Sequence, residues 1–137
     1  MTEIVRGSCL CGGVKFEVEL PFVVAHHCHC TTCQKHSGAA HTTSGRARPS
    51  QITILEGKEL LGSYQPAPGQ GNKTFCTVCG SSIFGGAWPD GEYVSVRFGA
   101  LDGDPGLRPQ ARTFVAYNAP WYEIPDDGLP RYEERRP

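Results

Sequence analysis

Residues 13–20, GVKFEVEL, alternate strictly. Val14, Phe16, Val18 and Leu20 fall on one side, and Lys15, Glu17 and Glu19 on the other. Successive side chains of an extended chain leave opposite faces, so a period of two predicts a half-buried strand. EYVSVRF, 92–98, repeats the pattern with Val94, Val96 and Phe98 facing inward. Further strands are expected over QITILEG (51–57), LLGSYQ (60–65), SSIFGG (81–86) and RTFVAY (112–117). These runs are rich in the β-branched and aromatic residues that strands favour. One short helix is expected after Cys30, through TTCQKHSG, with Gly38 as its C-cap residue. PAPGQGN (66–72) and DGDPG (102–106) read as turns or loops. PDDGLPRYEERRP (125–137) has neither period and reads as an extended tail that frays. With no internal repeat and no dividing linker, the pattern predicts a mostly β single domain over residues 1–137.

Composition narrows the function classes. The chain has 137 residues, 17 glycines, 11 prolines and a formal net charge of −1. That length buries roughly 65–70% of the unfolded chain's surface, enough for a core that does not rely on metal alone. A near-neutral balance argues against nucleic acid as a partner, because phosphate capture needs a basic face. No apolar run reaches the ~20 residues of a membrane helix, and MTEIVRGS lacks the basic-then-apolar order of a secretory signal. The expected setting is cytoplasmic, with no membrane partner.

Seven cysteines lie in three clusters: Cys9 and Cys11; Cys28, Cys30 and Cys33; Cys76 and Cys79. Disulfides fit poorly, since the number is odd, the expected compartment is reducing and C-x-C is too short for a relaxed bridge. Metal binding fits better. FCTVCG has the form of a zinc knuckle, in which Gly80 permits a tight turn and two thiolates point at one ion. CLCGG supplies two more thiolates. Cys9, Cys11, Cys76 and Cys79 therefore make a closed structural zinc site, joining an early hairpin to a late one. Cys28, Cys30 and Cys33 remain as a tripod, and three protein ligands with an open position are the pattern of catalytic zinc. Closure of the tripod by His26, His27, His29, His36 or His41, or an iron–sulfur cluster, are the alternatives at this point. His29 sits between two ligands, so its ring is expected to point away from the metal.

The order of motifs resembles a known family. GSCLCGGVKFEV, CHCTTCQKHSG, FCTVCGSSIF and APWYEIPDDGLPRYEE together resemble the glutathione-dependent formaldehyde-activating enzyme and centromere protein V family, over about residues 5–134. The resemblance implies a β-tent fold of antiparallel sheets with zinc-binding hairpins. It implies two zinc ions per chain, a structural one at Cys9, Cys11, Cys76 and Cys79 and a catalytic one at Cys28, Cys30 and Cys33. It also implies a carbon–sulfur lyase acting on a small thiol–aldehyde adduct such as S-hydroxymethylglutathione, the reversible product of glutathione and formaldehyde. Arg112 and Thr113 stand where many relatives carry His-Ile, and Asn118 where Lys is common.

Three thiolates around a zinc ion leave a formal charge of about −1, so the site is expected to polarise the substrate oxygen rather than accept another soft anion. Such a site needs a nearby donor, and Lys35, His36 and Ser37 follow the third ligand. Arg46, Arg48 and Arg97 are candidates for the carboxylates of glutathione. Trp121 and Tyr122 are expected in the core or a pocket wall. Two other readings compete with a lyase: a non-catalytic zinc-binding module with a protein partner, and a labile zinc or formaldehyde sensor.

Overall fold

The computed structural model describes residues 3–137. Among them are ten strands and one α-helix: β1 (Ile4–Ser8), β2 (Lys15–Glu19), β3 (Ala25–Cys28), α1 (Thr31–Ser37), β4 (Thr42–Ala47), β5 (Ile52–Glu56), β6 (Leu61–Tyr64), β7 (Asn72–Cys76), β8 (Ser82–Gly86), β9 (Val94–Arg97) and β10 (Arg112–Thr113). They form a three-stranded sheet, β1-β2-β5, and a seven-stranded sheet, β10-β3-β4-β9-β8-β7-β6. All pairings are antiparallel except β10 with β3, which is parallel. No helix among the described residues is long and apolar enough to cross a membrane.

The alternation in β2 places its apolar side in the core. Val14, Phe16 and Val18 are fully buried and cluster with Ala47, Phe84, Val94 and Val96 of the larger sheet. Phe16 meets Phe84 edge to ring at 5.2 Å, closing the gap between the sheets. The opposite face of the larger sheet is polar. His26 pairs with Ser44, and Ser44 with Arg97, so these three form a row across β3, β4 and β9. Cys28 and Thr42 lie two residues along from that row, on the same face. Lys73 joins them through its pairing with Gly85, which pairs in turn with Ser95.

The helix is capped by Cys30 at its start and by Gly38 at its end; Gly38 takes φ 70° and returns its N–H to the Gln34 carbonyl at 2.8 Å. RTFVAY departs from expectation. Only Arg112–Thr113 is strand; Phe114 then takes φ 57°, and Val115–Tyr117 form a 3₁₀ turn. The tail also differs, because it is extended but pinned. The Arg112 N–H donates to the Pro130 carbonyl and the Tyr132 N–H to the Arg112 carbonyl, both at 2.9 Å. Phe114 and Val115 donate to the Glu134 and Tyr132 carbonyls at 2.9 and 3.0 Å, bringing the tail's end to the cysteine tripod's side of the sheet.

Candidate metal centres

The cysteine sulfurs gather in two groups, and within each group all lie within 4.8 Å of one another. The first holds Cys9, Cys11, Cys76 and Cys79. Cys9 and Cys11 come from the turn between β1 and β2, Cys76 ends β7, and Cys79 lies in the turn to β8. Cys9 and Cys11 sulfurs are 3.5 Å apart, and Cys11 and Cys76 sulfurs 3.9 Å. A tetrahedron with zinc–sulfur bonds of about 2.3 Å has edges of about 3.8 Å. A disulfide needs about 2.05 Å. The spacing fits a metal cage. Sulfur lone pairs also receive donors: the Val14 N–H reaches Cys9 Sγ at 3.2 Å, and the Ser81 hydroxyl lies 3.2 Å from Cys79 Sγ. Hydrogen bonds from Ser81 pull the Cys79 thiol down to about 5, favouring the thiolate a metal requires. Gly80, at φ 79°, allows the reversal that brings the two sulfurs of this knuckle together.

The second group holds Cys28, Cys30 and Cys33. Cys28 ends β3, Cys30 caps α1, and Cys33 lies in the first turn of α1. The Cys33 N–H donates to Cys30 Sγ at 3.3 Å, so this sulfur serves as the N-cap acceptor. Lys73 Nζ donates to Cys33 Sγ at 3.3 Å from a side that is almost closed to solvent. Cys33 is held far below the ordinary thiol range by hydrogen bonds from Cys28 and Cys30, with the Lys73 charge adding to them. Cys28 is pushed well above that range by its hydrogen bonds with Cys30 and Cys33. No imidazole nitrogen joins either sulfur group among the described residues. A set of three soft anionic donors suits zinc.

All three of these cysteines line a cavity of about 520 Å³, with Lys73, Phe114, Tyr117, Glu134 and Arg135 in its walls. The Tyr117 hydroxyl donates to Glu134 Oε1 at 3.0 Å. A neighbouring cavity of about 350 Å³ shares Lys73 and Thr32 and adds Lys35, His36 and Tyr64.

His29 points away from the sulfurs, as expected. Its Nδ1 is 3.1 Å from Asn118 Oδ1, and its Nε2 is 3.2 Å from Arg112 Nη1. A guanidinium only donates, so Nε2 accepts and Nδ1 carries the proton; the ring is neutral. Burial, then the nearby His41, pushes its pKa down to about 4. Arg112 also binds Asp127 at 2.8 Å, and the Asn118 amide donates to the Tyr122 carbonyl at 2.8 Å. One imidazole thus ties Arg112 of β10 to Asn118, and Arg112 in turn holds Asp127 of the tail. Arg112 and Asn118, which set this chain apart in the sequence, meet on that single ring. His27 packs against His41 with ring centroids 4.5 Å apart, and burial and His41 hold His27 down to about 4.

Several expected helpers lie elsewhere. Lys35 and His36 face the neighbouring cavity. The Ser37 hydroxyl turns back to the Cys33 carbonyl at 2.7 Å, a local bond within the helix. Arg46 and Arg48 sit over the Tyr93 ring, at 5.3 and 5.1 Å from its centroid. Arg97 is buried on the Ser44 hydroxyl at 2.9 Å. None of these arginines lines the cavity beside the tripod. Trp121 is 70% exposed rather than part of a core or wall, while Tyr122 packs on His29 and His41. Lys73, Tyr117, Glu134 and Arg135 take the expected helpers' place in the cavity wall. Only a tail folded back onto β10 could have signalled Glu134 and Arg135.

The family model of the glutathione-dependent formaldehyde-activating enzyme matches residues 4–117. A Halomonas elongata protein, provisionally named as such an enzyme, is 29% identical over 129 residues, covering 88% of this chain and 81% of its own length. A crystal structure of a Rhodobacter sphaeroides protein is similar with a TM-score of 0.61 and 26% identity, over 93% of this chain and 98% of that one. With a family match spanning both cysteine groups and most of both sheets, the chain belongs to the glutathione-dependent formaldehyde-activating enzyme family.

Proposed function

We propose that this protein is a zinc-dependent carbon–sulfur lyase, a single domain whose tripod cysteines serve catalysis and whose other four serve the fold. The substrate is a small thiol–aldehyde adduct such as S-hydroxymethylglutathione. The observation that carries this reading is the placement of the tripod in the wall of a cavity large enough for a small molecule. Cys9, Cys11, Cys76 and Cys79 would hold a structural zinc, and Cys28, Cys30 and Cys33 a second one. The second zinc supplies, when bound, Lewis acidity for a substrate oxygen or sulfur.

The reaction R–S–CH₂–OH → R–SH + CH₂O breaks one carbon–sulfur bond. The hydroxyl proton leaves, its electron pair closes the carbonyl, and the departing sulfur gains a proton. Glu134, oriented by the Tyr117 hydroxyl, is the carboxylate in the wall that can take that proton and return it to the sulfur. Arg135 supplies a guanidinium for a carboxylate of the thiol carrier. Phe114 gives the cavity an apolar stretch of wall for the non-polar part of the adduct.

The test is formaldehyde release from S-hydroxymethylglutathione by the zinc-loaded protein and its Cys30→Ser variant. Turnover by the wild type and its loss in a folded Cys30→Ser variant are expected. A wild-type rate in that variant removes the lyase reading, and inactivity of both proteins favours a binding module.

A further inference from the structure

Lys73 is the second residue of β7, three residues before Cys76, yet it serves the other sulfur group. Its side chain crosses the polar face of the sheet to reach α1, and the residue is only 8% exposed. None of the ion pairs among the described residues includes it. A buried ammonium without a negative partner is strongly disfavoured. Its hydrogen-bonded partner is the Cys33 sulfur at 3.3 Å, and a thiolate there makes the bond charge-assisted. Lys73 also lines both cavities, so it stands at their junction beside the tripod.

Charge counting gives this contact a consequence. Three thiolates and one divalent ion sum to about −1, a centre that resists a further anion. One ammonium on the third sulfur brings the local sum to about zero. We propose that Lys73 is the charge-compensating residue of the three-cysteine centre, the group that lets this centre accept a thiolate sulfur as its fourth partner. This rests on the reading that the tripod holds zinc. It reverses the expectation that three thiolates exclude a soft anion, because that expectation counted the sulfurs without their buried counter-charge. Lys73 acts through Cys33 and is a positioning residue.

Cobalt(II) loaded at both sites provides a readout independent of turnover, since sulfur-to-cobalt charge-transfer absorption reports each new thiolate ligand. The probes are 2-mercaptoethanol, which binds as a thiolate, and imidazole, which binds neutral. In Lys73→Met the thiol affinity is expected to fall at least about tenfold, with imidazole affinity within about threefold of wild type. Lys73→Arg, which keeps the charge, is expected to restore thiol binding to within about threefold of wild type. Equal thiol affinity in wild type and Lys73→Met overturns the proposal, as does an equal loss for both probes, which marks a merely structural lysine. Failure of the wild type to bind the thiol also overturns it. If Lys73→Met does not fold, Lys73→Gln against Lys73→Arg decides by the same criteria. Absence of lyase turnover together with a charge-dependent thiol affinity would remove the proposed activity and leave this inference standing.

Discussion

Cys76→Ser and Cys30→Ser each exchange one sulfur for one oxygen, yet the structure predicts very different costs. Cys76 is fully buried, and its sulfur joins the β7–β8 turn to the β1–β2 turn, 65 residues away from Cys11. A four-thiolate zinc site contributes apparent binding energy of about 10–16 kcal/mol to folding. Losing even a quarter of that, about 3–4 kcal/mol, removes much of a stability of about 5–15 kcal/mol. At roughly 4 °C per kcal/mol, the melting temperature falls by about 12–16 °C or the variant fails to fold. Cys30 is only half-buried, and its structural duty is to accept the Cys33 N–H at the start of α1. Serine is a preferred residue for that duty, so the fold loses about 1 kcal/mol or less. Thermal melts by circular dichroism, with metal per chain measured on the same samples, check both numbers. Equal destabilisation by the two substitutions would refute the division of labour between the sites.

Three further outcomes follow from particular contacts. Phe16→Ala deletes a fully buried ring packed on Phe84 and is expected to cost about 3–5 kcal/mol in denaturant unfolding. Asp127 is held below the usual carboxylate range by its hydrogen bond with Arg112, so its contribution is present above about pH 4 and disappears as pH falls through the lowered value. Acid titration of unfolding should therefore show wild type more stable than Asp127→Asn at neutral pH, with the difference shrinking from about pH 4 downward as pH falls through the lowered value. A constant difference across that window would assign the effect to packing. Arg135→Ala should raise KM about two- to fivefold for a carboxylate-bearing adduct and leave a neutral adduct unchanged. A uniform rise would place Arg135 outside substrate recognition.

How far the chain could be read depended on which face each strand shows to water. β2 was legible because one face meets the core and the other solvent, giving Val14, Phe16 and Val18 their clean alternation. β3, β4 and β7 escaped because their second face is polar and covered. In these strands His26, Ser44, Arg97's neighbour across the sheet, and Lys73 replace the apolar–polar rhythm with polar residues on a buried side. A lysine in a strand reads as a solvent-facing residue, so no local signal marked Lys73 as the partner of Cys33. The two sulfur groups were legible because ligand spacing is local, a few residues per turn, and the clusters admit few pairings. The tail reads as fraying because backbone hydrogen bonds to β10 and the turn after it leave no side-chain pattern. The same pinning brings Glu134 and Arg135 to the cavity, while Tyr117 reaches it through the 3₁₀ turn that stands where a strand is expected.

The most direct test of the account is a crystal structure of the zinc-loaded protein with anomalous diffraction at the zinc edge. Two ions per chain are predicted, one within Cys9, Cys11, Cys76 and Cys79, and one on Cys28, Cys30 and Cys33 with solvent or substrate as its remaining partner. A single ion, or a protein side chain completing the tripod, would contradict it.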